Sequence, residues 1–124
     1  MSNFFFALLL CVSSLSALNF YSYEDALKLQ KTNGKTIMVD VMRSDCHYCA
    51  KMEEETLNDA EMSAWLESRF IPVEINLDFD ELPRGLNVFV TPTFFFLDTS
   101  HKVTKKLAGY WSKEDFKELT KDIK

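Results

Sequence analysis

Residues 39–49, VDVMRSDCHYC, decide the fold of this chain. They begin inside a run rich in β-branched residues, TIMVDVM at positions 36–42, which is typical of a buried central strand. They end in a turn that leads into a helix, which we expect to run towards Leu57. The pattern therefore predicts two cysteines, Cys46 and Cys49, at the point where a buried strand gives way to a helix.

The spacing of the two cysteines points to reactivity. Cys46 is expected at the N-terminus of the helix, where the macrodipole and unpaired amides favour a thiolate and lower the pKa of the thiol below its free value of about 8.5. Cys49, one turn further on, would be shielded and could attack a mixed disulfide. A bond between cysteines this close in sequence adds little stability, because it closes almost no loop.

A Cys-x-x-Cys pair also serves metal and haem sites. Attachment of c-type haem needs a histidine directly after the second cysteine, and Ala50 stands there. A tetrahedral zinc site needs a second pair of ligands, for which His101 is the remaining histidine outside the motif. A metal-binding module that uses Cys46, Cys49 and a histidine therefore stays open as an alternative, and we predict no metal.

Helical patterns lie on both sides of the motif. The residues expected to cap these further helices are Ser22, Asn58 and Ser112. The first helix should stop at Asn33–Gly34, and the last is amphipathic through Ile123. Asp115, three residues after Ser112, resembles the second half of a capping box.

Strand patterns alternate with these helices. They are expected at residues 70–77, 93–98 and 103–108. Residues 78–87 are interpreted as a loop or a short helix. Strands separated by helices, followed by a hairpin and a final helix, predict an α/β fold with a central mixed sheet of about four to five strands flanked by helices.

The first residues differ from the rest. Residues 4–12, FFFALLLCV, form an apolar run followed by small residues, which has the length of a signal-peptide core and is too short to span a bilayer. We predict a signal peptide at 1–16, a single domain at 17–124, and export, to the periplasm if the host is bacterial. A buried N-terminal strand or helix is the alternative.

Composition excludes one class of partner. The net charge is −5, and no cluster of lysine and arginine occurs. Nucleic-acid binding needs a basic surface, so no nucleic-acid partner is expected.

The motif and a later segment together carry a family resemblance. Strand, Cys-x-x-Cys and helix, followed by Val90-Thr91-Pro92-Thr93, resemble the thioredoxin superfamily over about residues 20–124. The segment SYEDAL at 22–27, and Lys51-Met52-Glu53 with Thr56, resemble one subgroup, the exported thioredoxin-like domain of membrane disulfide reductases. The resemblance implies a thioredoxin fold, a cis bond before Pro92, and backbone hydrogen bonds from Thr91 to a substrate chain. A trans proline at the start of an edge strand is the alternative.

The resemblance also assigns a buried carboxylate. Asp40 lies six residues before Cys46, at the spacing of the family's acidic residue, and would shuttle a proton to or from Cys49. An aspartate within an apolar strand should have a raised pKa, unless it faces solvent at the strand end. Glu74 stands where the family has a lysine; a second carboxylate would raise one of the two pKa values further, or Glu74 points away.

Three residues of the motif depart from the family. Asp45 replaces the usual tryptophan, and His47-Tyr48 replaces Gly-Pro. A protonated His47 would stabilise the thiolate and make the pair more oxidising, whereas Asp45 and the acidic run at 53–55 act in the opposite sense. We therefore assign Asp45, His47, Tyr48 and Glu74 a role in tuning the redox pair.

These observations predict a thiol–disulfide oxidoreductase without a metal or an organic cofactor. Its direction is expected to be reduction of disulfides in exported proteins or apocytochromes. The electrons would come from a membrane donor, and the protein would act as a monomer. A disulfide oxidase or isomerase is the enzymatic alternative, and the metal-binding module is the non-enzymatic one.

Overall fold

The computed structural model describes residues 17–124, so the predicted signal peptide at 1–16 lies outside the described residues. In chain order the elements are α1 (Tyr23–Asn33), β1 (Thr36–Met42), α2 (His47–Met52), a π turn (Glu53–Leu57), α3 (Ala60–Arg69), β2 (Phe70–Asn76), β3 (Thr93–Leu97), β4 (Val103–Ala108) and α4 (Lys113–Thr120).

The strands form one mixed sheet in the order β2-β1-β3-β4. β1 runs parallel to β2 and antiparallel to β3, and β3 is antiparallel to β4. The C-terminal ends of β1 and β2 therefore meet the N-terminal end of β3 at one edge of the sheet. The predicted α/β fold with a mixed sheet flanked by helices is confirmed.

Alternation along β1 divides the core into two layers. Ile37 and Val41 pack in the cluster that contains Ala26 of α1, whereas Met38 packs in the cluster that contains Met52 of α2 and Phe116 of α4. Successive strand residues point to opposite faces, so an apolar run such as TIMVDVM suits a strand covered on both sides. Within this run the one charged residue is Asp40, on the same face as Met38.

The helix after the motif ends differently from the prediction. The α-helical part stops at Met52, and the chain continues to Leu57 as the π turn. Asn58 closes that turn, because its N–H donates to the Glu53 carbonyl at 2.9 Å. The predicted cap at Asn58 is therefore wrong: the next helix is capped by Asp59, whose Oδ2 accepts from the Met62 N–H at 3.0 Å.

Two strands end one residue earlier than predicted, because polar side chains start turns there. After β2, Asn76 Oδ1 accepts the Asp78 N–H at 3.0 Å. After β3, Asp98 Oδ1 accepts the N–H groups of Ser100 and Lys102 at 2.9 and 3.0 Å. Residues 78–87 form a loop, in agreement with the first of the two interpretations above.

The first and last helices begin where the sequence predicts. Ser22 Oγ accepts from the Asp25 N–H at 3.1 Å, and Ser112 Oγ accepts from the Asp115 N–H at 3.2 Å. The last helix ends at Thr120, short of the predicted Ile123. Between residues 17 and 124, none of the helices has the length and hydropathy that crossing a membrane requires.

Candidate active site

Cys46 and Cys49 lie at the start of α2 and are joined by a disulfide, with their Cα atoms 5.2 Å apart. Cys46 is the N-cap residue, in extended backbone conformation, and its Sγ accepts the Cys49 N–H at 3.2 Å. Cys46 is half-buried, whereas Cys49 is 6% exposed. An external disulfide can therefore reach the first sulfur and not the second.

The first turn of α2 can stabilise a negative charge on Cys46. An N-cap side chain normally satisfies one of the free amides of a helix, and here a sulfur does so. The first turn of α2 holds no acidic residue, unlike the first turns of α1, α3 and α4. When the disulfide is opened, a thiolate on Cys46 retains the Cys49 amide and lies at the positive end of the helix.

The segment before β3 lies against the exposed sulfur. Cys46 Sγ is 3.3 Å from Thr91 Oγ1 and 3.5 Å from the Thr91 carbonyl oxygen, and the Thr91–Pro92 peptide bond is cis. The Pro92 carbonyl accepts the Gly109 N–H at 2.7 Å, and Thr93 Oγ1 donates to the Val90 carbonyl at 2.7 Å. The structure thus brings Thr91 to the sulfur and fixes it on both sides.

Asp40 lies in the middle of the sheet and is 5% exposed. Its neighbours in register are Glu74 on β2 and Phe94 on β3. Asp40 Oδ1 has no hydrogen-bond partner within residues 17–124. Burial raises the pKa of Asp40 well above its usual value, and the negative charges of Glu74 and Glu53 raise it further.

Glu74 is the partner of Asp40 in the parallel register and is partly exposed, and its negative charge is close enough to raise the pKa of Asp40. The pKa of Glu74 is also raised, first by burial and then by the negative charges of Glu53 and Asp80.

The other predicted tuning residues surround the disulfide on the outside. Asp45, His47 and Tyr48 are exposed. The rings of His47 and Tyr48 meet edge to face with centroids 5.2 Å apart. Their roles in redox tuning stay predictions.

Sequence reasoning missed the residues that hold the turn into α2. Asp78 Oδ2 accepts the Ser44 N–H at 2.8 Å, and Asp78 Oδ1 lies 3.5 Å from Arg43 Nη1. The Ser44 amide is the main reason that the pKa of Asp78 is lowered. Asn76 adds a bond from its Nδ2 to Ser44 Oγ at 2.9 Å. A polar Asn-x-Asp pattern at the end of a strand next to the motif was the available signal.

Sequence reasoning also missed the residues that hold the C-terminal end of α2 and the π turn in place. Tyr110 donates to Glu55 Oε2 at 2.5 Å, and Lys51 Nζ lies 4.5 Å from the Tyr110 ring centroid. Thr56 Oγ1 donates to the Trp111 carbonyl at 2.7 Å. These contacts hold α2 and the π turn against the segment after β4.

The described residues do not group as a metal site. Between residues 17 and 124, no cluster of three or more histidine, cysteine, aspartate or glutamate side chains is placed to hold an ion. What the arrangement can do is exchange one disulfide for another: a reachable sulfur, a shielded sulfur beside it, and a buried carboxyl beneath the same helix.

Comparisons with known proteins agree with this geometry. The family model described as thioredoxin-like domain matches residues 23–124. A thioredoxin from Thermus thermophilus is 29% identical, with a TM-score of 0.76 over 87% of this chain and 88% of that one. The C-terminal domain of DsbD from Neisseria meningitidis, in the oxidised form, is 21% identical, with a TM-score of 0.66 over 86% and 100% of the two chains.

A DsbH oxidoreductase is 20% identical, with a TM-score of 0.70 over 86% of this chain and 84% of that one. At these last two identities the similarity shows the fold alone. No curated protein matched the chain. The predicted thioredoxin fold is confirmed.

Proposed function

Because this chain belongs to the thioredoxin-like family, we propose that it is a thiol–disulfide oxidoreductase that reduces disulfides of exported proteins through Cys46 and Cys49. The observation that carries the proposal is the unequal placement of the two sulfurs. Cys46 caps α2, takes the Cys49 amide and faces outward, whereas Cys49 is buried. This asymmetry supports attack by Cys46 and resolution by Cys49.

The reaction proceeds in two exchanges. The Cys46 thiolate attacks one sulfur of a substrate disulfide; a bond forms between Cys46 and that sulfur, the substrate bond breaks, and the second substrate sulfur leaves as a thiolate that takes a proton from water. Cys49 then loses its proton and attacks Cys46 Sγ. This step forms the 46–49 disulfide and releases the first substrate sulfur as a thiolate. Two electrons have passed from the dithiol to the substrate.

Two residues near the disulfide, Asp40 and Thr91, have proposed roles in these exchanges. Asp40 is the proposed acceptor of the Cys49 proton, because it lies on the sheet face covered by α2. Thr91 is the proposed backbone partner of the substrate chain, since its carbonyl and hydroxyl lie against the reacting sulfur. The chemistry needs no metal or organic cofactor.

The proposal includes a net direction of electron flow, from the Cys46–Cys49 dithiol to substrate disulfides. Asp45 is exposed beside Cys46, and Glu53 is close enough to raise the pKa of Asp40, so negative charge on both sides disfavours a very stable thiolate. His47 opposes this effect when it is protonated. We propose net reduction, with a membrane electron donor and with exported proteins or apocytochromes as substrates, by a monomer.

One measurement tests the direction and the activity together. The purified domain is equilibrated with glutathione buffers, and insulin reduction is followed in parallel with Cys46→Ser as the control. A potential near about −270 mV with insulin turnover supports a reductase, and a value near about −120 mV reverses the direction. Failure of both dithiol oxidation and insulin turnover would leave the metal-binding alternative.

Export is tested separately. The full-length chain is expressed in a bacterium, the periplasmic fraction is isolated, and the N-terminal residues of the mature protein are determined. Recovery of a chain that begins near residue 17 supports export, and an uncut chain retained inside the cell contradicts it.

A further inference from the structure

The carboxylate of Glu74 is the feature that the proposed exchange does not use. We propose that Glu74 is a positioning residue that keeps a proton on Asp40 for the Cys49 sulfur, which leaves when the 46–49 disulfide is opened. This inference rests on the proposed function and assigns a regulator of the same site.

The strand register places the two carboxyls side by side. Asp40 and Glu74 are partners in the parallel pairing of β1 and β2, where neighbouring strands are about 4.8 Å apart. Partners in register project to the same face of the sheet. On the other side of Asp40 stands Phe94, an apolar ring that offers no hydrogen bond. Within the sheet, Asp40 is therefore flanked by one carboxyl-bearing residue and one aromatic residue, with Oδ1 unpartnered among the described residues.

No cation that the structure describes balances this pair. Of the three glutamates in the π turn, Glu53 acts on both Asp40 and Glu74. Asp80, in the loop after β2, acts on Glu74. Lys51 of α2 lies over the Tyr110 ring at 4.5 Å and is engaged there. The groups that act on Asp40 from β2 and from the π turn are thus both acidic, and both favour its protonated form.

The order of residues along β1 and α2 is the basis for placing Cys49 near Asp40. On β1, Asp40 is two residues beyond Met38 on the same face. On α2, Cys49 is one turn before Met52, and both are buried. Met38 and Met52 pack in one cluster. From this shared cluster, β1 leads on to Asp40 and α2 leads back to Cys49, both towards the end of the sheet at which the disulfide lies.

The chemical step follows from this placement. An incoming thiolate attacks Cys46 Sγ, the 46–49 bond breaks, and Cys49 leaves as a thiolate. The proton on Asp40 passes to Cys49, so the products are a mixed disulfide on Cys46, a neutral Cys49 thiol and an Asp40 carboxylate. In the reverse step Cys49 returns its proton to the Asp40 carboxylate as it attacks Cys46. Glu74, when ionised, favours the protonated side of this balance.

The reverse step gives a measurable signature. Reduced protein is mixed with Ellman's reagent in a stopped-flow instrument: attack by Cys46 releases one thionitrobenzoate, and attack by Cys49 on the mixed disulfide releases the second. The second phase needs an Asp40 carboxylate, so its rate rises with pH through the Asp40 titration. Glu74→Gln is expected to move this rise to lower pH by about half a unit, a three-fold change in proton affinity, and Glu74→Lys further.

Two controls make the result specific. Glu81→Gln removes one negative charge from an exposed residue of the neighbouring loop and is expected to leave the midpoint in place. Cys49→Ser must lack the second phase. An unmoved midpoint in Glu74→Gln overturns the inference, and so does an equal shift in Glu81→Gln, because a general field would then explain the effect.

A readout independent of exchange separates this inference from the proposed function. The ¹³C resonance of the Asp40 carboxyl is titrated in reduced wild type and in Glu74→Gln. A lower Asp40 midpoint in the variant supports the role of Glu74 whether or not insulin is reduced. An identical midpoint overturns that role even in an active reductase, whereas absent insulin turnover overturns the proposed function alone.

Discussion

Thr91 Oγ1 lies 3.3 Å from Cys46 Sγ, which places a hydroxyl beside the one sulfur that an external disulfide can reach. The disulfide sulfur carries no proton, so the hydroxyl is the donor in this contact. After reduction the same hydroxyl can donate to the Cys46 thiolate together with the Cys49 amide. Hydrogen bonds to a charged acceptor are the stronger kind, and they favour its ionised form.

Thr91→Val keeps the shape of the side chain and removes that donor. We expect the pKa of the Cys46 thiol to rise by about one unit, because the thiolate loses one charge-assisted bond. The pH dependence of iodoacetamide alkylation in a Cys49→Ser background measures this value. Thr104→Val, on β4, is the matched control. Superimposable titration curves for Thr91→Val and its parent would contradict a role for the hydroxyl.

The two cysteine variants should fail in different ways. Cys46→Ser removes the attacking sulfur, and turnover of insulin is expected to fall by at least about 100-fold. Cys49→Ser keeps the attacking sulfur and lacks the resolving one, so covalent adducts with substrate proteins should accumulate. Non-reducing gels of cells that express each variant detect them. Adducts on Cys46→Ser in place of Cys49→Ser would reverse the two roles.

Burial of Asp40 predicts a pH-dependent stability. The pKa of Asp40 is raised in the folded state, first by burial and then by Glu74 and Glu53. The folded state therefore binds the proton more tightly than the unfolded state, whose pKa is about 3.9, and the free energy of unfolding falls as pH rises through that interval. Asp40→Asn cannot ionise and avoids this loss.

Urea unfolding of the reduced protein tests this expectation. Asp40→Asn should exceed wild type in stability by about 1 kcal/mol or more near pH 8, and the difference should vanish near about pH 4. Asp122→Asn, at an exposed aspartate of the C-terminal segment, serves as the control. A difference between Asp40→Asn and wild type that is the same at both pH values would contradict the linkage.

The packing of the core predicts that replacing Phe96 by alanine greatly lowers the free energy of unfolding, whereas replacing Phe89 hardly changes it. Phe96 is fully buried, and its ring lies 5.1 Å from that of Phe70 and 6.4 Å from that of Phe116. Phe96→Ala should lower the free energy of unfolding by about 3–5 kcal/mol. Phe89 is 91% exposed, so Phe89→Ala should stay within about 0.5 kcal/mol of wild type. Equal losses in the two variants would contradict this assignment of the core.

What the sequence predicted well was local. Ser22 and Ser112 were found as caps because a cap bonds to an amide three residues away. The prediction of Asn58 as a helix cap was wrong, because the π turn before it involves contacts distant in sequence: Thr56 donates to the Trp111 carbonyl. The cap moved one residue along to Asp59 as a result.

The same division applies to the site. The strand–Cys-x-x-Cys–helix pattern identified the two cysteines because their setting is contiguous in sequence. The proximity of Asp40 to Glu74 depends on the register of two parallel strands, and the bond from Ser44 to Asp78 depends on where two strands end. Periodicity fixes which face a strand residue uses, and it does not fix the register between strands.

The exposed residues before Thr91 are expected to affect the reaction with a polypeptide disulfide and not the reaction with a small one. Phe89 and Val90 are 91% and 52% exposed, and with Arg43 and Leu77 they line a groove that also includes Thr91, the residue in contact with the Cys46 sulfur. A polypeptide that docks beside Thr91 would cover part of the Phe89 ring, whereas a small disulfide reaches only the sulfur. Partial burial of such a ring contributes about 1 kcal/mol, which corresponds to about five-fold in kcat/KM. Phe89→Ala should therefore lose about five-fold on insulin and keep its rate with Ellman's reagent. Equal losses on both disulfides would show that the ring acts on the chemistry of Cys46, and unchanged rates on both would place the substrate chain elsewhere.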